Sequence, residues 1–194
     1  IAERLAVFAR EQGATPFMVF LAAWGTLLSR WSGQRDFAVG TPIANRTRRE
    51  TEGLIGFFVN TLALRLRPRP ERSFRDLLAE VREATLDAYA HQDLPFERLV
   101  DALAPERNLS WSPIFQTLFV LQNNPPHEVE GSTGTANEGV SARDLPGTVE
   151  VSKFDLTLNA APLGGDYFLR LVYATSLYDR ATPERLLAGF HRIL

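Results

Sequence analysis

The sequence predicts an α+β fold, a mixed β-sheet with helices packed on one face. Segments with apolar residues at helical spacing alternate along the chain with shorter segments in which every second residue is apolar. The predicted order is two helices, two strands, two helices, one strand, a strand hairpin and a closing helix. The chain has 194 residues, of which 45% are apolar, so it can form one domain of ordinary size with its own hydrophobic core, or one lobe of a larger domain.

The composition excludes several classes of function. The formal net charge is −2 with the charges interspersed, so there is no basic stripe for nucleic acid. No apolar run reaches the roughly 18 residues that a membrane span needs, and no signal peptide is visible. The absence of cysteine excludes disulfides, thiolate metal sites and a cysteine nucleophile. We therefore expect a soluble protein without nucleic-acid or membrane partners, and a cysteine-free chain suits the cytoplasm.

The first two helices are predicted from their spacing and caps. Ala2 to Glu11 carries apolar residues at helical spacing and is followed by Gly13. Thr15 is an N-cap candidate with Pro16 at the first helical position. The following segment, Phe17 to Trp31, is apolar nearly all round, which is typical of a buried central helix.

Two strands follow, and the second contains a polar residue at an inward position. The first is predicted over Asp36 to Thr41 and ends at Pro42, and the second over Phe57 to Leu66. Period-2 alternation directs Asn60 to the same face as its apolar neighbours at even positions. A buried amide needs hydrogen-bond partners, so Asn60 either ties down a neighbouring loop or lines a polar channel.

The second half of the chain contains the remaining elements. Ser73 caps a helix that ends near His91, where a cationic imidazole would favour the helix dipole. A long flexible loop is predicted over 123–147, a segment rich in proline, glycine, serine and threonine. The other predicted elements are a helix from Pro95, a strand over Ile114 to Gln122, strands over Val149 to Ala160 and Tyr167 to Thr175 joined through Gly164-Gly165, and a helix from Thr182-Pro183.

Four motifs occur in order along the chain: Val39 to Arg46 together with Ile55 to Leu62, then His91 to Val100, Ser112 to Gln116, and Lys153 to Leu156. They resemble the signatures of nonribosomal peptide synthetase condensation domains. They extend the resemblance from about Thr15 to the last residue. The family's HHxxxDG motif, whose second histidine is the proposed catalytic one, is absent, and the three histidines of this chain are isolated from one another.

The resemblance implies that residues 1–194 are the C-terminal lobe of a two-lobed, chloramphenicol acetyltransferase-like domain. The chain begins at Ile1 without an initiator methionine and ends at Leu194 inside an apolar helical pattern. We therefore expect a fragment whose N-terminal lobe, with HHxxxDG, is missing. A weak homodimer of the fragment is expected through the surface that faces the other lobe.

The reaction implied by the resemblance is amide-bond formation between two carrier-bound thioesters. The implied partners are the donor and acceptor peptidyl carrier proteins, the N-terminal lobe and an adjacent adenylation domain. Phosphopantetheine arms arrive on the carriers, and no cofactor is bound directly. This lobe would line the substrate tunnel and help to dock carriers, and the fragment alone would be inactive because it supplies no catalytic residue.

The candidate tunnel residues are small or uncharged polar groups that suit a neutral, amide-bearing arm. Each of them is individually more often structural, because buried amides usually serve backbone groups. In the loop after the first strand, Asn45 and Arg46 either contact the other lobe or are solvated. Asp155 either pairs with an arginine, which we favour, or lines the channel. The tunnel candidates are Gly40, Thr41, Asn60, Thr61, Gln116 and Gln122.

Two other function classes stay open at this level. The same fold serves epimerisation, heterocyclisation and free-standing acyl transfer. A non-catalytic module that only docks carrier proteins is the different class. The decisive motif lies in the missing half, where an intact HHxxxDG indicates an enzyme and a degenerate one a docking platform.

Overall fold

The computed structural model describes residues 2–103, 111–122 and 151–194. The predicted long loop at 123–147 and His127 lie outside the described residues, as does the start of the strand predicted from Val149. In chain order, the elements are α1 (Ala2–Glu11), α2 (Pro16–Ser32), β1 (Phe37–Ile43), α3 (Arg49–Glu52), β2 (Asn60–Leu66), α4 (Phe74–Ala90), α5 (Phe96–Leu103), β3 (Thr117–Leu121), β4 (Leu156–Leu163), β5 (Asp166–Tyr173) and α6 (Ala181–Ile193).

The five strands form one mixed sheet in the order β2-β1-β3-β4-β5. The outer pairs, β1 with β2 and β4 with β5, are antiparallel. The central strand β3 lies parallel to both of its neighbours. This mixed α+β architecture is the predicted fold class.

One face of the sheet is covered by helices and forms the core. Val39 of β1, Phe119 of β3 and Leu158 of β4 are fully buried on this face together with Trp24 of α2 and Phe190 of α6. The central helix α2 is buried along most of its length, as its apolar composition predicts.

The opposite face carries a different set of side chains. The register places Gly40, Leu118, Thr157 and Val172 in one row across four strands. Because side chains alternate along a strand, this row points away from the helical core that Val39 and Leu158 enter. We call this side of the sheet the open face.

The starts of α2 and α4 agree with the sequence because their caps are local, whereas α6 begins at Ala181 and the cap predicted at Thr182 is wrong. The Thr15 hydroxyl accepts a hydrogen bond from the Met18 amide at 3.4 Å. The Ser73 hydroxyl accepts one from the Asp76 amide at 3.2 Å, and the Asp76 carboxylate accepts one from the Ser73 amide at 3.0 Å. These reciprocal caps satisfy backbone donors that a helix start would otherwise leave unpaired.

Strand boundaries differ from the predictions in several places. β4 covers Leu156–Leu163 and continues through Pro162, whereas the strand was predicted over Val149 to Ala160, and the described residues 151–155 are not in a strand. β1 continues through Pro42, which is paired with Thr61, so the predicted end at this proline is wrong. β2 begins at Asn60 rather than at Phe57. β3 covers only Thr117–Leu121, because Ile114 has a left-handed φ of 69° that interrupts the extended chain.

Candidate functional site

A cleft of about 680 Å³ opens where β1 and β3 end. Its walls are the last residues of these two strands, the loop that follows β1, Tyr89 in the last turn of α4, and Phe17 at the start of α2. The described residues that line it include no His, Asp, Glu or Lys. Amides, hydroxyls and apolar groups dominate, so the cleft suits a neutral polar ligand rather than proton transfer by its own side chains.

Four of the eight residues predicted for the tunnel and the lobe-interface loop meet in this cleft. Thr41, Asn45, Arg46 and Gln122 all line it. Thr41 is 3% exposed, whereas Gln122 is exposed just beyond the end of β3. They come together because β1 and β3 are parallel neighbours and therefore end at the same edge of the sheet.

The loop after β1 holds its two predicted residues in defined positions. Asn45 has a left-handed φ of 51°, which asparagine tolerates better than most residues. The Arg46 guanidinium lies 4.3 Å from the centroid of the Phe58 ring and donates to the Thr51 carbonyl. The Oδ1 atom of Asn45 is buried and has no hydrogen-bond partner among the described residues. The loop therefore contains one unsatisfied buried acceptor beside the cleft.

Asn60 lies next to the cleft but does not line it. Its Nδ2 donates to the carbonyls of Gln92 and Leu94, each at 2.8 Å. Its Oδ1 accepts from the amides of Thr61 at 2.8 Å and Phe96 at 3.2 Å. All hydrogen-bonding positions of the amide are used by backbone, so these contacts favour the structural tie over the channel.

Gly40 lies under an aromatic ring on the open face. A Cβ atom built on Gly40 would be 2.2 Å from Cε2 of Phe115. The Phe115 ring is fully buried and lies 5.4 Å, centroid to centroid, from both Phe96 and Phe154. Gly40 therefore serves close packing, and α5, through Phe96, reaches the open face rather than the helical core.

The remaining tunnel candidates also lie outside the cleft. The Gln116 side chain donates to the Ser112 carbonyl at 3.0 Å and closes the turn around Ile114. Thr61 is half-buried opposite Pro42 in the β1–β2 pair. For Gly40, Asn60, Thr61 and Gln116, lining a tunnel stays a prediction.

The histidines do not form a catalytic or metal site in the described residues. His91 is the C-cap of α4, and its Nδ1 lies 2.9 Å from the Asp87 carbonyl, as its position at the helix end predicts. His191 is in the last turn of α6. Across the described ranges, no group of three potential metal ligands occurs.

Asp155 does not form the arginine pair that we favoured from the sequence. In the described part of the chain its carboxylate has no ion-pair partner, and burial raises its pKa. The pKa of Tyr178 is raised by burial and, to a smaller degree, by the negative charge of Asp155. The two groups are therefore close enough to interact, at the start of β4 and before α6.

An exposed apolar stretch, Leu54 to Val59, borders the cleft and was missed by the strand prediction. Ile55 is fully exposed at 105% and Phe57 at 92%, while Val59 lines the cleft at 48%. The signal in the sequence is that both odd and even positions are apolar here, whereas a strand with one solvent face alternates. Such a continuous exposed patch is typical of an interface.

No helix in the described ranges is long and apolar enough to cross a membrane.

Comparison with known proteins defines the class of this fold. It is the chloramphenicol acetyltransferase-like fold of condensation domains. The condensation domain from the monacolin K polyketide synthase MokA is 28% identical, with a TM-score of 0.83, over 99% of this chain and 43% of that one. The X-domain from teicoplanin biosynthesis is 25% identical, with a TM-score of 0.80, over 98% of this chain and 43% of that one.

Sequence relatives identify the family. The family model described as "Condensation domain" matches residues 1–194, and the chain belongs to this family. It is 43% identical to tyrocidine synthase 3 of Brevibacillus parabrevis over 192 residues, which is 99% of this chain and 3% of that protein. It is 46% identical to phosphinothricin tripeptide synthetase PhsC of Streptomyces viridochromogenes over 178 residues, 92% of this chain and 16% of that protein. The chain therefore spans a small fraction of these relatives.

Proposed function

We propose that this chain is the C-terminal lobe of a nonribosomal peptide synthetase condensation domain that forms amide bonds between carrier-bound thioesters. One observation carries the proposal: the family match covers all 194 residues, yet the sequence has no HHxxxDG motif. The chain also covers only 43% of the MokA condensation domain chain. A second lobe of similar size would complete the domain and supply the histidine.

The cleft supports a binding role for this lobe. Its described lining is neutral apart from Arg46, whose charge lies over the Phe58 ring. The amide groups of Asn45, Gln92 and Gln122 offer both donors and acceptors to an amide-bearing phosphopantetheine arm. Donor and acceptor carrier proteins deliver such arms to the tunnel, and this lobe contributes one of its walls. Because the described lining has no acid or base suited to proton transfer, that step belongs to the other lobe.

The exposed apolar stretch supports contact with the second lobe. Ile55 and Phe57 project from the loop that runs beside the cleft. Covering them with the N-terminal lobe would bury apolar area and close the cleft into a tunnel.

The further partner in the synthetase is the adjacent adenylation domain, and the whole synthetase acts in the cytoplasm.

A reconstitution experiment tests the proposal. Two carrier proteins loaded with amino acids are incubated with this chain, with the upstream lobe, with both, and with the continuous two-lobed domain, and products are measured by mass spectrometry. We expect amide product from the continuous domain and none from this chain alone. Product from this chain alone, above a control without protein, would contradict the assignment of catalysis to the other lobe.

A non-catalytic docking module is the second candidate, and one comparison favours it. A structure described as a complex of the X-domain and OxyB from teicoplanin biosynthesis has 25% identity and a TM-score of 0.78. A domain of this fold can thus form a complex with another protein. A continuous domain that binds loaded carriers but forms no product would support docking, and turnover would support the enzyme.

A further inference from the structure

We propose that a second cleft, which we call the arginine cleft, docks an acidic peptide segment of a partner protein through one apolar anchor side chain. This cleft of about 320 Å³ lies between the C-terminal half of α2, the segment that leads from β2 into α4, and the end of α6. The first cleft contacts the start of α2 and the end of α4 instead. The two clefts are therefore at opposite ends of the lobe and share no lining residue.

The floor of the arginine cleft is largely apolar, and the half-buried Thr26 and Ser29 beside it already donate their hydroxyls to backbone carbonyls. Pro68 and Leu77 are buried there, and Phe74 and Ile193 are half-buried. An aliphatic or aromatic side chain placed on this floor would lose apolar surface to the protein and gain packing contacts. The floor thus provides the place for an anchor.

The rim of the cleft is cationic. Arg30, Arg69 and Arg72 line it, and all three are exposed. Arg72 is paired with Glu80. The side chains of Arg30 and Arg69 have no hydrogen bond or ion pair within the described part of the chain. Two guanidinium groups are therefore available to bind carboxylates bidentately.

The surrounding surface strengthens this positive field. Arg65 binds Asp36 through two hydrogen bonds of 2.7 Å, and Arg67 shares the same carboxylate at 3.5 Å. Arg35 lies 3.6 Å from Glu71. With Arg75 and Asp76 at the start of α4, the arginines named for this end of the lobe number seven and the carboxylates number four, although the formal net charge of the whole chain is −2. The seven are Arg30, Arg35, Arg65, Arg67, Arg69, Arg72 and Arg75, and the four are Asp36, Glu71, Asp76 and Glu80. A local excess of this kind attracts acidic partners.

The layout favours a peptide segment over a small anionic ligand. Small-molecule sites enclose roughly 300–1,000 Å³ and hold their polar groups inside the pocket. Here the volume is at the lower end of that range, and the charges are on the rim around an apolar floor. An apolar centre with a polar rim is the arrangement of protein interfaces, where arginine is enriched.

A binding experiment on the continuous domain tests the proposal. The probe is a fluorescein-labelled peptide of glutamate and leucine, and its affinity is measured by anisotropy at low and moderate salt. We expect saturable binding that weakens with salt, and the double variant R30Q/R69Q should weaken it by about tenfold. Replacing the glutamates by glutamine, or the leucines by serine, should each reduce binding.

The matched control removes the same charge elsewhere. R4Q/R98Q changes two exposed arginines on α1 and α5, outside both clefts, and should alter the affinity by less than about twofold. Equal losses in both double variants would mean nonspecific charge attraction and would reject the site. Absence of peptide binding to the unmodified domain would reject it as well. Displacement of the peptide by a nucleoside triphosphate would reassign the cleft to a small anionic ligand.

This inference stands apart from the proposed function. The arginine cleft contains no residue of the first cleft, so R30Q/R69Q should leave amide formation from saturating loaded carriers unchanged. Loss of peptide binding with intact turnover is the combination that we expect.

Discussion

Gly40 shows how one residue without a side chain can determine the packing of a sheet face. The Phe115 ring lies where a Cβ would be and packs against the rings of Phe96 and Phe154. We expect G40A to lower the free energy of unfolding by about 1–3 kcal/mol, because the ring cannot move without disturbing its aromatic neighbours. Urea unfolding of the continuous domain measures this change.

Gly53 provides the control for this substitution. A Cβ on Gly53 would have no atom within 4 Å, and its φ of −85° suits alanine. We therefore expect G53A to leave stability unchanged or raise it by up to about 1 kcal/mol. Similar losses in G40A and G53A would show that the contact with Phe115 is not the cause.

Asp155 leads to a prediction about pH. Its pKa is raised above 3.8 by burial, so the folded state holds its proton at pH values where the unfolded state has released it. Folding stability therefore falls as the pH rises through the interval above 3.8, and the charged form is unfavourable at neutral pH. We expect D155N to stabilise the domain at neutral pH and to give no gain well below 3.8, as measured by urea unfolding at both pH values.

The opposite result for D155N would also be informative. A loss of stability at neutral pH would show that the carboxylate has a favourable partner beyond the described residues. In that case the ion pair expected from the sequence would be restored.

At the scale of elements, Asn60 joins β2 to the turn between α4 and α5. Replacing it by leucine leaves the carbonyls of Gln92 and Leu94 and the amide of Phe96 without their partner. We expect N60L to lower the free energy of unfolding by roughly 1–3 kcal/mol and to reduce the melting temperature. Turnover per folded molecule should stay near normal if Asn60 acts only as this tie.

Asn159 is the matched control for Asn60. It is also a half-buried asparagine in a strand, β4, but its side chain makes no hydrogen bond within the described ranges. N159L should therefore leave no hydrogen-bonding group unpaired, and we expect it to lower the free energy of unfolding less than N60L does. A stable N60L variant with low turnover would support the channel instead of the tie.

The elements also show what could be predicted from the sequence. The starts of α2 and α4 were predicted correctly because Thr15 and Ser73 act on residues three positions away. The inward face of β2 was predicted because alternation is local, and Leu62, Leu64 and Leu66 are indeed buried. Strand ends were less predictable, since they depend on where a neighbouring strand stops.

The candidate site was predictable only where local sequence determines it. Thr41 and Gln122 both line the cleft because their strands end at the same edge of the sheet. The sequence predicts that each residue lies near the end of a strand, but not that the two strands are neighbours. The partners of Asn60 and the ring above Gly40 come from distant segments, so no local pattern identifies them. Tertiary contacts thus explain why β2 contains the polar Asn60 and why β1 contains Gly40, which has no side chain.

For the whole molecule, the exposed apolar stretch predicts self-association of the isolated chain. Interfaces within a chain commonly bury around 600–1,500 Å², enough for a weak dimer at high concentration. We expect light scattering across a concentration series to show a mass that rises from one chain toward two. I55S/F57S should shift this rise to higher concentration, because Ile55 and Phe57 are almost fully exposed.

Two other exposed leucines serve as the control for self-association. Leu163 and Leu177 are 55% and 59% exposed and lie away from the loop beside the cleft. L163S/L177S should leave the concentration dependence unchanged. A strictly monomeric chain at every concentration would show that the apolar stretch is not adhesive.

The central position of β3 has a consequence for how the chain folds. The β4–β5 hairpin closes through Gly164 and Gly165, and β1 pairs with β2 in the same part of the chain, so both outer pairs can form early. β3 must then meet β1 and β4, which are far from it in sequence, and such non-local pairing is slow. We expect stopped-flow refolding to show a rate limited by this closure. Until β3 is in place, the two halves of the sheet have unpaired inner edges, and newly made chains are then most prone to aggregate.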